Sequence, residues 1–192
     1  MGIGEVIRRA VFLDRDGVLN EAIVRNGKPY PPSSVDDMII VSDAFESLSA
    51  LKNAGFLLIG CTNQPDVARG TTSYEAVEAI HAALLRALPL DNIRVCYHDD
   101  ADQCDCRKPL PGLLLQAAQD FKIDLAKSFM IGDRWKDISA GQNAGCQTIW
   151  IDQQYDEQKP AAPDFVAGSL KEAVKWVIDI NPPQSPFFKG GS

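Results

Sequence analysis

The chain has 192 residues, 45% of them hydrophobic and 23% charged, enough to bury one good core and too few for two full domains. A formal net charge of -7 excludes a broad basic surface for nucleic acid, so an anionic ligand has to be held by local cations or a metal. No stretch approaches the ~18 apolar residues of a membrane span, and the start "MGIGEVIRRAVFLD" lacks the apolar core and cleavage site of a secretory leader, so a cytoplasmic protein without a membrane partner is expected, most simply a monomer.

Residues 10–14, "AVFLD", read as a buried strand. The turn "NGKPYPP" then belongs to a short hairpin flap, and a helix follows over 43–55, where Phe45, Leu48 and Leu51 recur at helical spacing, Ser42 or Asp43 caps the start and Gly55 suits the C-terminal end. A strand at 56–61 leads to a helix at 73–87 with Val77, Ile80, Leu84 and Leu88 on one face, then a strand at 93–97. "PGLLLQAAQDF" reads as a helix with Pro111 in its first turn, "SFMIGD" as a strand, "WKDISAGQNAG" as a helix closed by Gly145, and "QTIWI" as a strand. "DFVAG" and "SLKEAVKWVIDI" add a last strand and helix. Residues 152–163 read as a surface loop, and the Pro-, Gly- and Ser-rich stretch 181–192 as a disordered tail. Strands alternating with helices imply a doubly wound, three-layer α/β fold, Rossmann-like, with a parallel sheet in a single domain over 1–180. The segment between the first strand and the helix at 43 is too short for a large cap domain.

Ligands of such sheets collect at the C-terminal ends of the strands. There the sequence delivers Asp14 and Asp16, then Thr62 and Asn63, then Arg107 and Lys108, and finally Asp133 and Asp137. Residues two apart in an extended chain point the same way, so Asp14 and Asp16 share a site in which a divalent cation relieves their repulsion. Carboxylates, a lysine, a hydroxyl and magnesium together suit phosphoryl transfer on a small phosphorylated metabolite.

A second cluster sits in "CYHDDADQCDC". Four of the seven Cys and His residues of the chain, Cys96, His98, Cys104 and Cys106, fall within 96–106, as a CxH pair and a CxC pair. Three thiolates and an imidazole make a closed tetrahedral set for structural zinc, in a reducing compartment where disulfides are not expected. Cys61 and Cys146 read as core residues, and His81 as a satisfied or surface side chain rather than a ligand.

"DRDGVLN", "TNQ", "RKP" and "GDRWKD" resemble, in order and spacing, the four motifs of the haloacid dehalogenase (HAD) superfamily, and more narrowly its subgroup of heptose bisphosphate and histidinol-phosphate phosphatases. The resemblance implies a magnesium-dependent phosphomonoester hydrolase with an aspartyl-phosphate intermediate. By it Asp14 is the nucleophile and Asp16 the acid/base; Thr62 and Lys108 hold the phosphoryl group, with Asn63 nearby. Magnesium is then bound by the Asp14 carboxylate, the Asp16 main-chain carbonyl and Asp133, while Asp137 orients Lys108 or a metal-bound water. The same subgroup carries a zinc loop before its catalytic lysine.

Arg69 and Arg107 are candidates for contact with a second anionic group of the substrate. Pro65 and Asp66 stand where relatives commonly have a small residue and glycine, a change that bears on the pocket. Two rival classes are a phospho-accepting receiver-like domain, whose acidic pair is adjacent rather than spaced, and an idle zinc-stabilised module, against which Asp14, Asp16, Lys108 and Asp133 together speak.

Overall fold

The structure is a computed structural model and describes residues 7–181. Its centre is a six-stranded parallel sheet of β1 (Ala10–Leu13), β4 (Leu57–Asn63), β5 (Asn92–Cys96), β6 (Phe129–Gly132), β7 (Gln147–Ile151) and β8 (Phe165–Ala167), in the order β5-β4-β1-β6-β7-β8. β2 (Ile23–Arg25) and β3 (Lys28–Tyr30) form the hairpin expected at "NGKPYPP", and are the only strands between β1 and the first helix. Among the described residues the α-helices are α1 (Ala44–Asn53), α2 (Tyr74–Ala87), α3 (Gly112–Phe121), α4 (Trp135–Ala144) and α5 (Leu170–Ile180). Each predicted strand and helix is present, with ends shifted by one or two residues, the usual uncertainty where helices fray. All but one residue of the predicted tail at 181–192 lies outside the described residues.

The order of the strands locates the site. β1 lies in the middle; the chain moves outward to β4 and β5 on one side, then returns to lay β6, β7 and β8 on the other. Neighbouring connections therefore diverge beside β1, leaving a crevice at the C-terminal ends of β1, β4 and β6. β1 is fully buried, because helices cover both faces of the sheet: Val11 and Leu13 enter the core with α1, α2 and α5, while Ala10 and Phe12 enter the core with α3 and α4. Cys61 and Cys146 are buried in the second core, as expected. No helix among the described residues is long and apolar enough to cross a membrane.

An aromatic set ties the far end of the sheet to α5. Phe129 of β6 meets Phe56 and Trp176 edge-on, at centroid distances of 5.8 and 6.2 Å, and Trp176 stacks on Phe165 at 5.0 Å. These geometries contribute beyond area burial. Phe129→Ala opens a cavity between β6 and α5 and is expected to lower stability by about 3–5 kcal/mol, read as a lower denaturant midpoint at unchanged m-value; a loss below about 1 kcal/mol contradicts this packing role.

Candidate functional site

β1 ends at Leu13, and the Asp14 N–H continues its ladder by donating to the Ile131 carbonyl at 2.9 Å, which fixes the Asp14 side chain at the crevice. Beyond it the chain turns sharply through Gly17, whose φ of +94° suits glycine; a β-carbon there would lie 1.9 Å from Asp133 Oδ2. Asp133 follows β6 directly, and Asp137 lies in the first turn of α4, where its Oδ2 accepts the Arg134 N–H at 3.0 Å. Asp14, Asp133 and Asp137 bring carboxylate oxygens within 4.8 Å of one another.

Into this group projects Lys108, whose buried ammonium donates to Asp14 Oδ1 at 2.5 Å, pairs with Asp137 Oδ1 at 2.6 Å and donates to the Cys61 carbonyl at 2.7 Å. Burial alone would lower the pKa of this amine, but the charges of Asp137 and Asp14 outweigh it and raise it above the ordinary lysine value. Asp14 shows the opposite balance. Burial, with repulsion from Asp137 and Asp16, outweighs the lysine and pushes its carboxyl up to about 7. Asp133 is raised well above the usual carboxylate range by burial and by Asp14 and Asp137. Neither Asp133 oxygen is hydrogen-bonded in good geometry, although the Tyr155 phenol lies beside it. Buried carboxylate oxygens short of donors, in a cluster with more anions than ammonium groups, are the donor set of a hard divalent cation.

Asp16 lies just outside this cluster and faces the same cavity of about 270 Å³, with Asp14, Thr62, Asn63, Gln64, Lys108 and Asp137. Its side chain accepts from Arg15, Asn20 and Gln64. The Thr62 hydroxyl accepts from Gln64 at 2.8 Å, which leaves its own proton for a ligand. Asn63 spends its amide on the main chain of Lys108, accepting from its N–H and donating to its carbonyl, both at 3.0 Å. It clamps the lysine-bearing turn to β4 while bordering the cavity.

The cations chosen from sequence divide. Arg69 borders the cavity but is held by Asp99 at 2.6 and 2.9 Å, with Asp66 at 3.5 Å. Arg107 bonds to Asp100 at 2.7 Å and faces a smaller cleft beside the Cys-rich loop. In that loop Cys96, Cys104 and Cys106 place their sulfurs 3.1 to 3.7 Å apart, and His98 Nδ1 lies 3.3 Å from Cys106 and 3.6 Å from Cys96. Ligands at zinc distances of about 2.0–2.3 Å sit roughly 3.5–3.8 Å apart in a tetrahedron, so these four atoms surround a point suited to one ion. The five cysteines are all free thiols.

Several residues of the site were not read from sequence. Gln64 and Arg15 lie inside the quoted motifs, and the clue to them was only that a buried turn must satisfy Asp16. The segment 152–163, read as a surface loop, is in part a wall of the site: Gln153 donates to the Gly17 carbonyl, Asp156 N–H to the Gly27 carbonyl of the hairpin, and Glu157 pairs with Arg134 at 2.6 Å. Its polar composition resembled a solvated loop because its partners are 23 to 136 residues away.

A family model described as "HAD-hyrolase-like" matches residues 105–173. The chain is 38% identical over 149 residues to a D-glycero-beta-D-manno-heptose-1,7-bisphosphate 7-phosphatase of Pasteurella multocida, covering 72% of this chain and 78% of that one. The chain belongs to the HAD-like phosphatases. A 7-phosphatase of the same name from Photorhabdus laumondii is 38% identical over 186 residues, covering 89% and 96% of the two chains. Among solved structures, a D,D-heptose 1,7-bisphosphate phosphatase from B. bronchiseptica, complexed with magnesium and phosphate, superposes with a TM-score of 0.77 at 28% identity, over 90% of this chain and 99% of that chain. This HAD-like protein is therefore a hydrolase of phosphomonoesters.

Because Asp14 holds a proton up to about pH 7, cation binding to the cluster has to displace it. Magnesium affinity is expected to fall as pH drops from 8 to 6, with net proton release on binding, measured by calorimetry in buffers of different ionisation enthalpy. Affinity independent of pH over this interval contradicts the placement of the ion at Asp14.

Proposed function

We propose that this phosphatase removes the 7-phosphate of D-glycero-D-manno-heptose 1,7-bisphosphate. The observation that carries the chemistry is the buried Lys108 ammonium shared between Asp14 and Asp137 at the floor of an open cavity. The substrate follows from the names of the 38% identical relatives, both of which specify the β anomer.

In this reading an Asp14 oxygen attacks phosphorus in line with the C7 oxygen. The phosphorus–oxygen ester bond breaks, its electron pair leaves on the C7 oxygen, and protonated Asp16 delivers the proton that makes the alcohol. Asp16, now a carboxylate, takes a proton from water as that water attacks the aspartyl phosphate, freeing Asp14 and inorganic phosphate. Lys108 and Thr62 hold the equatorial phosphoryl oxygens, and Asp137 keeps the lysine aimed between them. The Asp14 and Asp133 carboxylates and the Asp16 main-chain carbonyl would hold magnesium, which would supply charge neutralisation at the floor.

Asp14→Asn keeps the shape of the side chain and removes the attacking charge. It is expected to lower turnover of heptose bisphosphate by at least about 10³-fold with the fold intact by circular dichroism. In a substrate panel, wild-type kcat/KM for the β-1,7-bisphosphate exceeds that for the α anomer and for histidinol phosphate. A preference for histidinol phosphate overturns the substrate, and an active Asp14→Asn overturns the nucleophile.

The second metal site is assigned to structural zinc on Cys96, His98, Cys104 and Cys106. Elemental analysis of purified protein is expected to give about one zinc per chain, and Cys104→Ser to lower both zinc content and melting temperature. Full stability of a zinc-free preparation contradicts a structural role.

A further inference from the structure

A hydrogen-bonded row leads away from Asp16 into the protein and ends on the face of α2. The first member is Arg15, fully buried, whose Nε and Nη2 form a fork on the Asp16 carboxylate at 2.9 to 3.1 Å. Its remaining Nη1 faces His81 Nε2 at 3.1 Å. His81 is itself buried, and its Nδ1 lies 2.9 Å from Glu78 Oε1, one helical turn earlier on α2. Glu78 also accepts from the Tyr97 hydroxyl at the end of β5.

The directions of these bonds are fixed by elementary inventory. A guanidinium only donates, so His81 Nε2 is the acceptor and carries no proton. A carboxylate only accepts, so His81 Nδ1 carries the proton and donates to Glu78. Burial and the Arg15 charge hold the imidazole below its ordinary pKa, in keeping with this neutral tautomer. Each donor in the row meets an acceptor. Burying an arginine with such partners is costly compared with packing apolar side chains there, and the row has one functional terminus, the carboxylate facing the cavity.

We propose that His81 is a positioning residue for Asp16, acting through the guanidinium of Arg15 and locked in its Nδ1–H tautomer by Glu78 and Tyr97. This rests on the reading of Asp16 as the proton-transfer group. The fork, together with single bonds from Asn20 at 3.0 Å and Gln64 at 2.9 Å, sets the plane of the Asp16 carboxylate, and the fork keeps its orientation while its third corner is anchored on His81. Without that anchor the guanidinium turns about its Cδ–Nε bond, and Asp16 loses its aim at the leaving oxygen.

Proton delivery matters to an alkoxide leaving group and little to p-nitrophenolate, which departs as a stable anion. The experiment therefore compares kcat/KM on heptose bisphosphate and on p-nitrophenyl phosphate for Asp16→Asn, His81→Leu and His81→Gln. His81→Leu is expected to lose about tenfold on the sugar phosphate and less than about twofold on the aryl phosphate, a selective part of the 10²–10⁴ that acid catalysis supplies. His81→Gln offers an acceptor oxygen to Arg15 and recovers most of the loss. Equal losses on both substrates, or none, overturn the proposal. Should His81→Leu fail to fold, Glu78→Ala at the half-exposed outer end decides, with a selective loss of about threefold expected and an unselective or absent one overturning it. If Asp16→Asn retains wild-type turnover of the sugar phosphate, the acid assignment fails and the row falls with it; if only Asp16→Asn is impaired, the row fails alone.

Discussion

One buried ammonium governs this site. Lys108 is almost wholly withdrawn from water and shared between Asp14 and Asp137, with Asp133 close by. Several kcal/mol oppose burial of each such charge, so none of the four residues is stable in its place without the others. The group is also unbalanced, with three carboxylates around one lysine. The raised carboxyls of Asp14 and Asp133 express that imbalance as retained protons. A divalent cation resolves it without protons, leaving Asp14 ionised, which is the form an attacking group requires. The same feature that makes the floor unfavourable as an isolated protein therefore makes it reactive when loaded.

Holding such a group takes more than its own contacts. The ends of strands β1 and β6 supply Asp14 and Asp133, and the first turn of α4 supplies Asp137 at the same crevice. The fourth, Lys108, arrives on a turn outside the sheet, and Asn63 fastens that turn by its main chain to the end of β4. On the other side of the turn stands the Cys-rich loop, moored by Arg69–Asp99 and Arg107–Asp100. Partly exposed ion pairs of this kind contribute about 0–1 kcal/mol each. They add little to the short 3-10 turn at Asp100–Asp102 that Asp99 caps, and in the proposed reading the cysteine and histidine cluster supplies the remaining order of the loop. In the proposed reading the two candidate metal clusters have unlike tasks, one setting the charge at the floor and the other the shape of the segment carrying the lysine.

Much of this was legible in the sequence, for a physical reason. The helices announce themselves through apolar spacing, and the strands are short apolar runs because a parallel sheet is covered on both faces. Asp14, Thr62 and Asp133 stand out because strand ends are where polar residues interrupt such runs, whereas Lys108 lies on a turn beyond β5 and is legible only through the motif around it; the Cys and His spacing is rare enough to be read directly. What stayed hidden is polar satisfaction at long range. Arg15 and His81 are 66 residues apart, and Gln153 reaches Gly17 across 136. A buried arginine and an exposed one look alike in a sequence, and so do a wall of an active site and a solvated loop. Only the fold decides between them, because burial is what makes an unpaired donor costly.

The wall has consequences for how an open site selects its substrate. Walled by the β2–β3 hairpin, the loop after β4 with Pro65, Asp66 and Arg69, and Glu157, the cavity has no cap domain to close over its ligand. Selection has to come from charges at the rim, which include Lys28, Arg69, Arg134 and Lys136. Arg69 and Arg134 are each committed to a carboxylate, whereas Lys28 and Lys136 form no ion pair among the described residues. Lys136 is further held below its ordinary pKa by burial and by Arg107 and Arg134, a field that an arriving anion relieves. In the proposed reading a second phosphate of the substrate would meet this cationic rim while the first meets the floor, and a monophosphate would leave the rim unengaged.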